Sequence, residues 1–307
     1  MPAGHSRCHS SRLRVFVLML LVWTLKWSPA GWAASPEIRI DPGAGSFLFA
    51  DEKGDPSKPL TVYTYIPRGI KPDAAAIVFV MHGAGKDAKG MRDTWIAHAN
   101  KYEFMVVAPR FDPAQWGRGG YTYASVVSRE GKLHDPAMWS FNAVEHLFDA
   151  IKDATGNSSA TYFIYGHSEG GQFVHRLVML LPDARYAKAV AANAGWYTMP
   201  TFNVQFPFGL GGAPATEASL KKSLGRDFVL MLGDRDTDPN HRQLNQSPQA
   251  MAQGAYRFER GQNYFKEAGI RATELQSPFG WQLQVVPGAA HQNSRMSRPA
   301  AAVLMGR

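Results

Sequence analysis

Five residues, Gly166-His167-Ser168-Glu169-Gly170, set a serine hydroxyl between two glycines. The apolar and aromatic run before them, 160–165, reads as a buried strand, and after them Phe173, Leu177, Leu180 and Leu181 recur at helical spacing. A serine at a sharp strand-to-helix turn has a particular chemistry. Its Oγ stands above the sheet beside backbone N–H groups and the positive end of a helix dipole, where charge developing on a carbonyl oxygen is stabilised. Such a turn strains the backbone and needs neighbours without a Cβ, a need that Gly166 and Gly170 meet. The bare pattern also arises by chance, so a base and an acid must be sought elsewhere in the chain.

The elements that would carry those groups follow an alternating order. Strands are expected over 37–49 and 60–66, separated by the turn-rich 51–56, as an antiparallel hairpin at one sheet edge. The run 75–81 reads as a strand buried on both faces and empties into His82-Gly83-Ala84-Gly85. Met91, Trp95, Ile96 and Ala99 keep a helical period, and 104–108 is the next strand. Residues 109–138 break the rhythm with a long excursion rich in glycine and aromatics, of the kind that is more often functional than idle. A helix is expected from Ser140, read as its N-cap, with Phe141, Val144, Leu147, Phe148 and Ile151 on one face. After the serine turn come a strand over 186–194, a second excursion over 196–225, a strand over 228–232, a helix over about 247–268, a strand over 281–286 and a short final helix.

The groups with chemical potential lie at strand ends. The 75–81 strand runs into a glycine loop with backbone N–H groups; the 228–232 strand runs into Gly233-Asp234-Arg235-Asp236-Thr237-Asp238; the last strand runs into Pro287-Gly288-Ala289-Ala290-His291. In an open α/β sheet the loops at the carboxyl ends of the strands gather on one side. The chain order serine, acid, histidine, together with these four loops, resembles the α/β-hydrolase superfamily over almost the whole chain, and in texture the secreted esterases related to polyhydroxyalkanoate depolymerases and feruloyl or acetylxylan esterases.

The resemblance implies an α/β fold with a mostly parallel central sheet, helices on both faces and the antiparallel hairpin at the N-terminal edge. It implies a hydrolase in which His291 takes the Ser168 proton and an acyl-enzyme forms. Asp236, three residues past Gly233, takes the orienting acid's place in the superfamily pattern, with Asp238 as second candidate and Asp234 as third. Backbone N–H groups of Glu169 and Ala84 would form the oxyanion hole. Trp139, Trp196 and Tyr197, with Phe208, are expected either to line an acyl or aromatic substrate pocket or to pack a lid. A carboxylesterase is the leading expectation. Peptidase, thioesterase and lipase use the same apparatus, and a silent ligand-binding homologue would keep the fold.

Composition narrows the field further. The 307 residues suit one α/β domain, here 34–307, with neither repeats nor low-complexity segments. Residues 1–33 read as a secretory signal peptide: Arg7, Arg12 and Arg14 precede an apolar run from Val15 to Leu25, and small residues lead to a cleavage point after Ala33. A secreted or periplasmic protein with no lasting membrane span is therefore expected, an uncleaved N-terminal anchor being the weaker reading because Lys26 interrupts the apolar run. Loss of the leader removes four basic residues, Lys26 being the fourth, and no acidic one, so the formal charge of +8 falls to +4. It also removes Cys8, the only cysteine, so no disulfide framework is available. No basic cluster points to nucleic acid. Asp234, Asp236, Asp238 and Asn240 alternate as calcium loops do, but Pro239 stands where glycine is required and no glutamate closes the loop. No metal or cofactor is expected, and the partner is a small-molecule or polymeric ester.

Overall fold

The computed structural model describes residues 38–307 except Arg129, together with Gly4. The leader expected over 1–33 therefore lies outside the described residues, Gly4 aside.

Eight strands form one sheet in the order β1-β2-β4-β3-β5-β6-β7-β8. They are β1 Gly43–Phe49, β2 Leu60–Ile66, β3 Ala76–Met81, β4 Phe104–Arg110, β5 Tyr162–His167, β6 Tyr186–Ala192, β7 Phe228–Gly233 and β8 Trp281–Val286. β2 pairs antiparallel with β1 and with β4, and every pair from β4 onward is parallel. The expected hairpin edge is present, although its first strand begins at Gly43 rather than at residue 37.

Alternation along the strands explains the two apolar layers. In β3, Ile77, Phe79 and Met81 face one layer, while Val78 and Val80 face the other. The second layer is closed by α1 (Ala88–Tyr102), through Trp95 and Ala99, and by α8 (Asn293–Leu304), through Met296, Ala300, Ala301 and Leu304. The first is closed by α3 (Ser140–Thr155), α4 (Glu169–Leu180), α5 (Glu217–Leu224) and α7 (Arg257–Glu274). A strand buried on both sides has no room for a polar alternate, which is why 76–81 and 228–232 are unbroken apolar runs.

Several expected boundaries shift. The excursion over 109–138 contains α2, Pro113–Thr122, kinked at Gly117, which has φ 63° and ψ 178°. Trp139, not Ser140, caps α3, and the Ser140 hydroxyl instead donates to the Gly120 carbonyl. The single helix expected over 247–268 is two, α6 Pro248–Met251 and α7, because Gly254 takes φ 146° between them. The tail helix α8 is twelve residues long and includes Pro299, its apolar face outweighing one missing N–H. Among the described residues no helix is long and apolar enough to cross a membrane. No group of three or more His, Cys, Asp or Glu among them is placed to hold a metal ion.

Candidate active site

β5 delivers Ser168 to a backbone conformation, φ 59° and ψ −115°, that L-residues seldom adopt. Its surroundings allow nothing else. A Cβ on Gly166 would stand 2.1 Å from the Gly170 carbonyl oxygen, and one on Gly170 would stand 2.2 Å from that of Met81. The Ser168 N–H donates to the Ala192 carbonyl at 2.9 Å, pinning the turn to the end of β6. Glu169 begins α4, so its N–H has no intrahelical acceptor.

The acid turn after β7 and the histidine loop after β8 are stitched together before either reaches Ser168. Asp234 Oδ1 accepts from the Gly288 N–H at 2.7 Å, and the Arg235 N–H donates to the Ala289 carbonyl at 2.9 Å. Gly233 permits this, since a Cβ there would lie 2.4 Å from the Ala289 oxygen. Asn193, at the end of β6, accepts from the Gly233 N–H at 2.8 Å through Oδ1 and donates through Nδ2 to the Ala290 carbonyl at 3.1 Å. One amide thus holds both loops.

The result is a continuous line of hydrogen bonds. Ser168 Oγ lies 2.9 Å from His291 Nε2, and His291 Nδ1 lies 2.7 Å from Asp236 Oδ2. Asp236 is 3% exposed, and its other oxygen faces the buried Arg257 guanidinium at 3.4 Å. A carboxylate so enclosed needs a partner on each oxygen, and it has one. Arg257 also donates to His241 Nδ1 at 3.1 Å, and burial and the Arg257 charge hold the His241 imidazole below its ordinary value. Asp238, the second candidate acid, instead accepts from the Asn240 N–H at 2.8 Å.

The glycine loop after β3 is held by His82 and Tyr121. The Phe111 N–H donates to His82 Nε2 at 3.1 Å, so that nitrogen is the acceptor and Nδ1–H donates to the Gly83 carbonyl at 3.0 Å. Tyr121 stacks on the His82 ring at 4.3 Å and donates to its carbonyl at 2.7 Å. A Cβ on Gly83 would lie 3.7 Å from the Ser168 Cβ, so the loop lies against Ser168. His175 repeats the tautomer logic: it accepts from the Thr198 N–H at Nε2 and donates to the Gly171 carbonyl from Nδ1.

Burial drives the His82 imidazole from 6.5 down to about 4, and by the same cause holds His167 and His175 well below the ordinary range. The three rings stay neutral in the folded protein, whereas the unfolded chain protonates them below about pH 6.5. The unfolded state then binds more protons, so stability is complete above that pH and is lost as pH falls through the folded values. For His82 alone the loss reaches roughly 3 kcal/mol by pH 4. Urea titrations are expected to show a lower midpoint at pH 4.5 than at pH 7.5, and equal midpoints would mean these rings are not held neutral.

The three aromatics expected at a substrate pocket or in lid packing are all buried. Tyr197 is fully buried, stacked on Tyr264 at 4.5 Å, with its backbone N–H and carbonyl both bonded to the Gln253 side chain. Trp139 is 5% exposed and donates to the His134 carbonyl. Trp196 packs against both Phe208 and the Arg176 guanidinium, each 4.3 Å from its ring centre. None of the three lines the two cavities described next. A cavity of about 350 Å³ lies beside the glycine loop, with walls from Gly83, Gly85, Met91, Thr94, His167 and Asn293. A larger one, about 690 Å³, lies between the second excursion and α7 and includes Phe208, Gln253 and Ile270 but no residue of the Ser168 line.

Residues that sequence reasoning passed over include Asn193, Arg257 and Lys86. Lys86 had a visible signal, following directly on the glycine loop; Asn193 and Arg257 act only through contacts that folding creates.

Chemically, the arrangement lets the Ser168 hydroxyl lose its proton to His291 as Oγ attacks a carbonyl carbon, with backbone N–H groups of α4 and the glycine loop alongside. Comparison with known proteins agrees with a hydrolase. The poly(aspartic acid) hydrolase-1 of Sphingomonas sp. KT-1 is 44% identical, with 86% of this chain and 99% of that one covered and a TM-score of 0.83. The poly(3-hydroxybutyrate) depolymerase of Bordetella parapertussis is 33% identical, with 87% and 91% covered and a TM-score of 0.82. The S-formylglutathione hydrolase of Agrobacterium tumefaciens, 16% identical over 86% of this chain and 95% of its own, shares the fold at a TM-score of 0.57. No protein-family model and no curated protein matches the chain. The chain belongs to the α/β-hydrolase family, with a poly(aspartic acid) hydrolase and a poly(3-hydroxybutyrate) depolymerase among its relatives.

Proposed function

We propose that this chain is an exported hydrolase that cleaves carboxylic esters through an acyl-enzyme on Ser168. His291 accepts the hydroxyl proton as the Oγ–carbon bond forms, then returns it to the departing alcohol as the ester bond breaks. In the second half it takes a proton from water, which attacks the acyl carbon and releases the acid and the serine. Asp236 keeps Nδ1 protonated and balances the imidazolium charge. Glu169 and Ala84 supply the N–H groups for the oxyanion. The observation that carries this reading is the unbroken line from Ser168 Oγ through His291 to Asp236, at 2.9 and 2.7 Å. The basic and apolar character of residues 1–33 supports export.

A fluorophosphonate probe tests the nucleophile directly. The folded protein is expected to carry the adduct on Ser168 by peptide mass mapping, and the urea-unfolded chain is expected to carry none. An unlabelled Ser168 in the folded, monodisperse protein would remove the reading.

One finding favours a second reading. The relative at 44% identity is named for hydrolysis of poly(aspartic acid), a polyamide, whereas the one at 33% is named for a polyester. The same apparatus cleaves an amide if His291 protonates the leaving nitrogen. Release of soluble fragments from a polyester film, set beside release from poly(aspartic acid), separates the two.

A further inference from the structure

The serine turn and the glycine loop are far apart in sequence, and the oxyanion reading requires their N–H groups to converge on one point. We propose that Lys86 and Glu169 form a clasp that sets this convergence, each acting as a positioning residue; the inference rests on the reading of Ser168 as nucleophile. Lys86 Nζ lies 2.5 Å from Glu169 Oε2, joining the residue that follows the glycine loop to the first residue of α4. Both side chains are largely shielded, at 19% and 14% exposure, so solvent screens the pair less than one on the open surface.

Each partner is itself held in place. The Thr122 hydroxyl donates to Glu169 Oε1, and Lys86 Nζ stands 4.7 Å over the Tyr121 ring, the same ring that stacks on His82. The Lys86 N–H donates to the Gly83 carbonyl at 3.0 Å, closing the turn that contains Ala84. The clasp therefore ties the backbone that offers one oxyanion donor to the residue that offers the other.

The backbone at Lys86 points the same way. Its φ is 55°, in the left-handed region where glycine is unstrained, and Gly83 and Gly85 stand close by in the same loop. A lysine held at that φ accepts local strain for the sake of its ammonium group.

The test uses Lys86→Met, Glu169→Gln, their combination, Lys86→Gly and Lys86→Arg in the full protein. Readouts are kcat and KM on a short p-nitrophenyl ester, affinity for a trifluoromethyl ketone that mimics the tetrahedral oxyanion, and Tm. Each single charge removal is expected to lower kcat about tenfold, with KM within about twofold, and to weaken the ketone in parallel. The combined variant is expected to be no slower than either single one, because the two side chains act as a unit. Lys86→Gly separates positioning from stability: relief of the positive φ is expected to keep Tm within about 2 °C while kcat still falls about tenfold. Lys86→Arg is expected to restore most of kcat. Additive losses, or losses that follow Tm rather than ketone affinity, would overturn the clasp while leaving Ser168 as nucleophile. A wild-type protein that neither reacts with the fluorophosphonate nor turns over any acyl substrate would overturn both.

Discussion

Ser168→Ala is expected to lower kcat by about 10⁵- to 10⁶-fold with the fold intact. In the proposed mechanism the hydroxyl forms the acyl bond, and alanine keeps the Cβ, so the backbone at φ 59° and its bond to Ala192 are undisturbed. Asp236→Asn should act through a different step and cost about 10⁴-fold. An asparagine can present N–H to His291, which favours the wrong tautomer, and it no longer balances an imidazolium; it also leaves Arg257 buried without its carboxylate. The measurement is kcat on a chromogenic ester beside near-ultraviolet circular dichroism for each variant. Ser168→Ala protein retaining a tenth of wild-type turnover would refute the role assigned to it.

The second large effect concerns folding rather than chemistry. Gly170→Ala puts a Cβ 2.2 Å from the Met81 oxygen and 2.9 Å from that of His82, both rigid backbone at the end of a central strand. The helix cannot retreat without dragging Ser168, and β3 cannot retreat without breaking its ladders to β4 and β5. A loss of about 3 kcal/mol or more is expected, at the upper end of what overpacking costs when no side chain can yield. Urea denaturation reads it as a lower midpoint at unchanged slope, and the folded fraction should be poorly active because the displaced turn misaligns Oγ. A Gly170→Ala protein as stable as wild type would show that this contact is softer than the backbone geometry implies.

The parts of the site that could be read in the chain share one property: each is fixed by local pattern. While the superfamily pattern picks Asp236 from the carboxylates of its turn, the Gly166–Gly170 turn between an apolar strand and an amphipathic helix, and His291 past the last strand, follow from chain order and strand-end position. So do the hairpin edge and the doubly buried strands. What escaped depends on contacts between distant segments. Trp139 and Tyr197 sit in loops, which suggested a pocket or lid packing, and the partners that bury them, such as Tyr264 for Tyr197, come from elsewhere in the fold. The break at Gly254 was hidden because the apolar spacing of 247–268 continues across it. Its turn, in which Glu259 accepts from the Ala255 N–H at 2.6 Å, opens the helix that carries Arg257 to Asp236. The excursion over 109–138 looked irregular because Gly117, Gly119 and Gly120 mask α2, which nevertheless delivers Tyr121 to the glycine loop.

Asn193 has a bearing on how such a site can be altered. Because one carboxamide ties Gly233 to Ala290, the Asp236 turn and the His291 loop behave as a single cassette whose two halves share a fastener at the end of a third strand. Chimeras built with a relative must then exchange 233–240, 286–292 and position 193 as a set. Swapping either segment alone would leave a native serine facing a mismatched relay, however faithful the donor sequence.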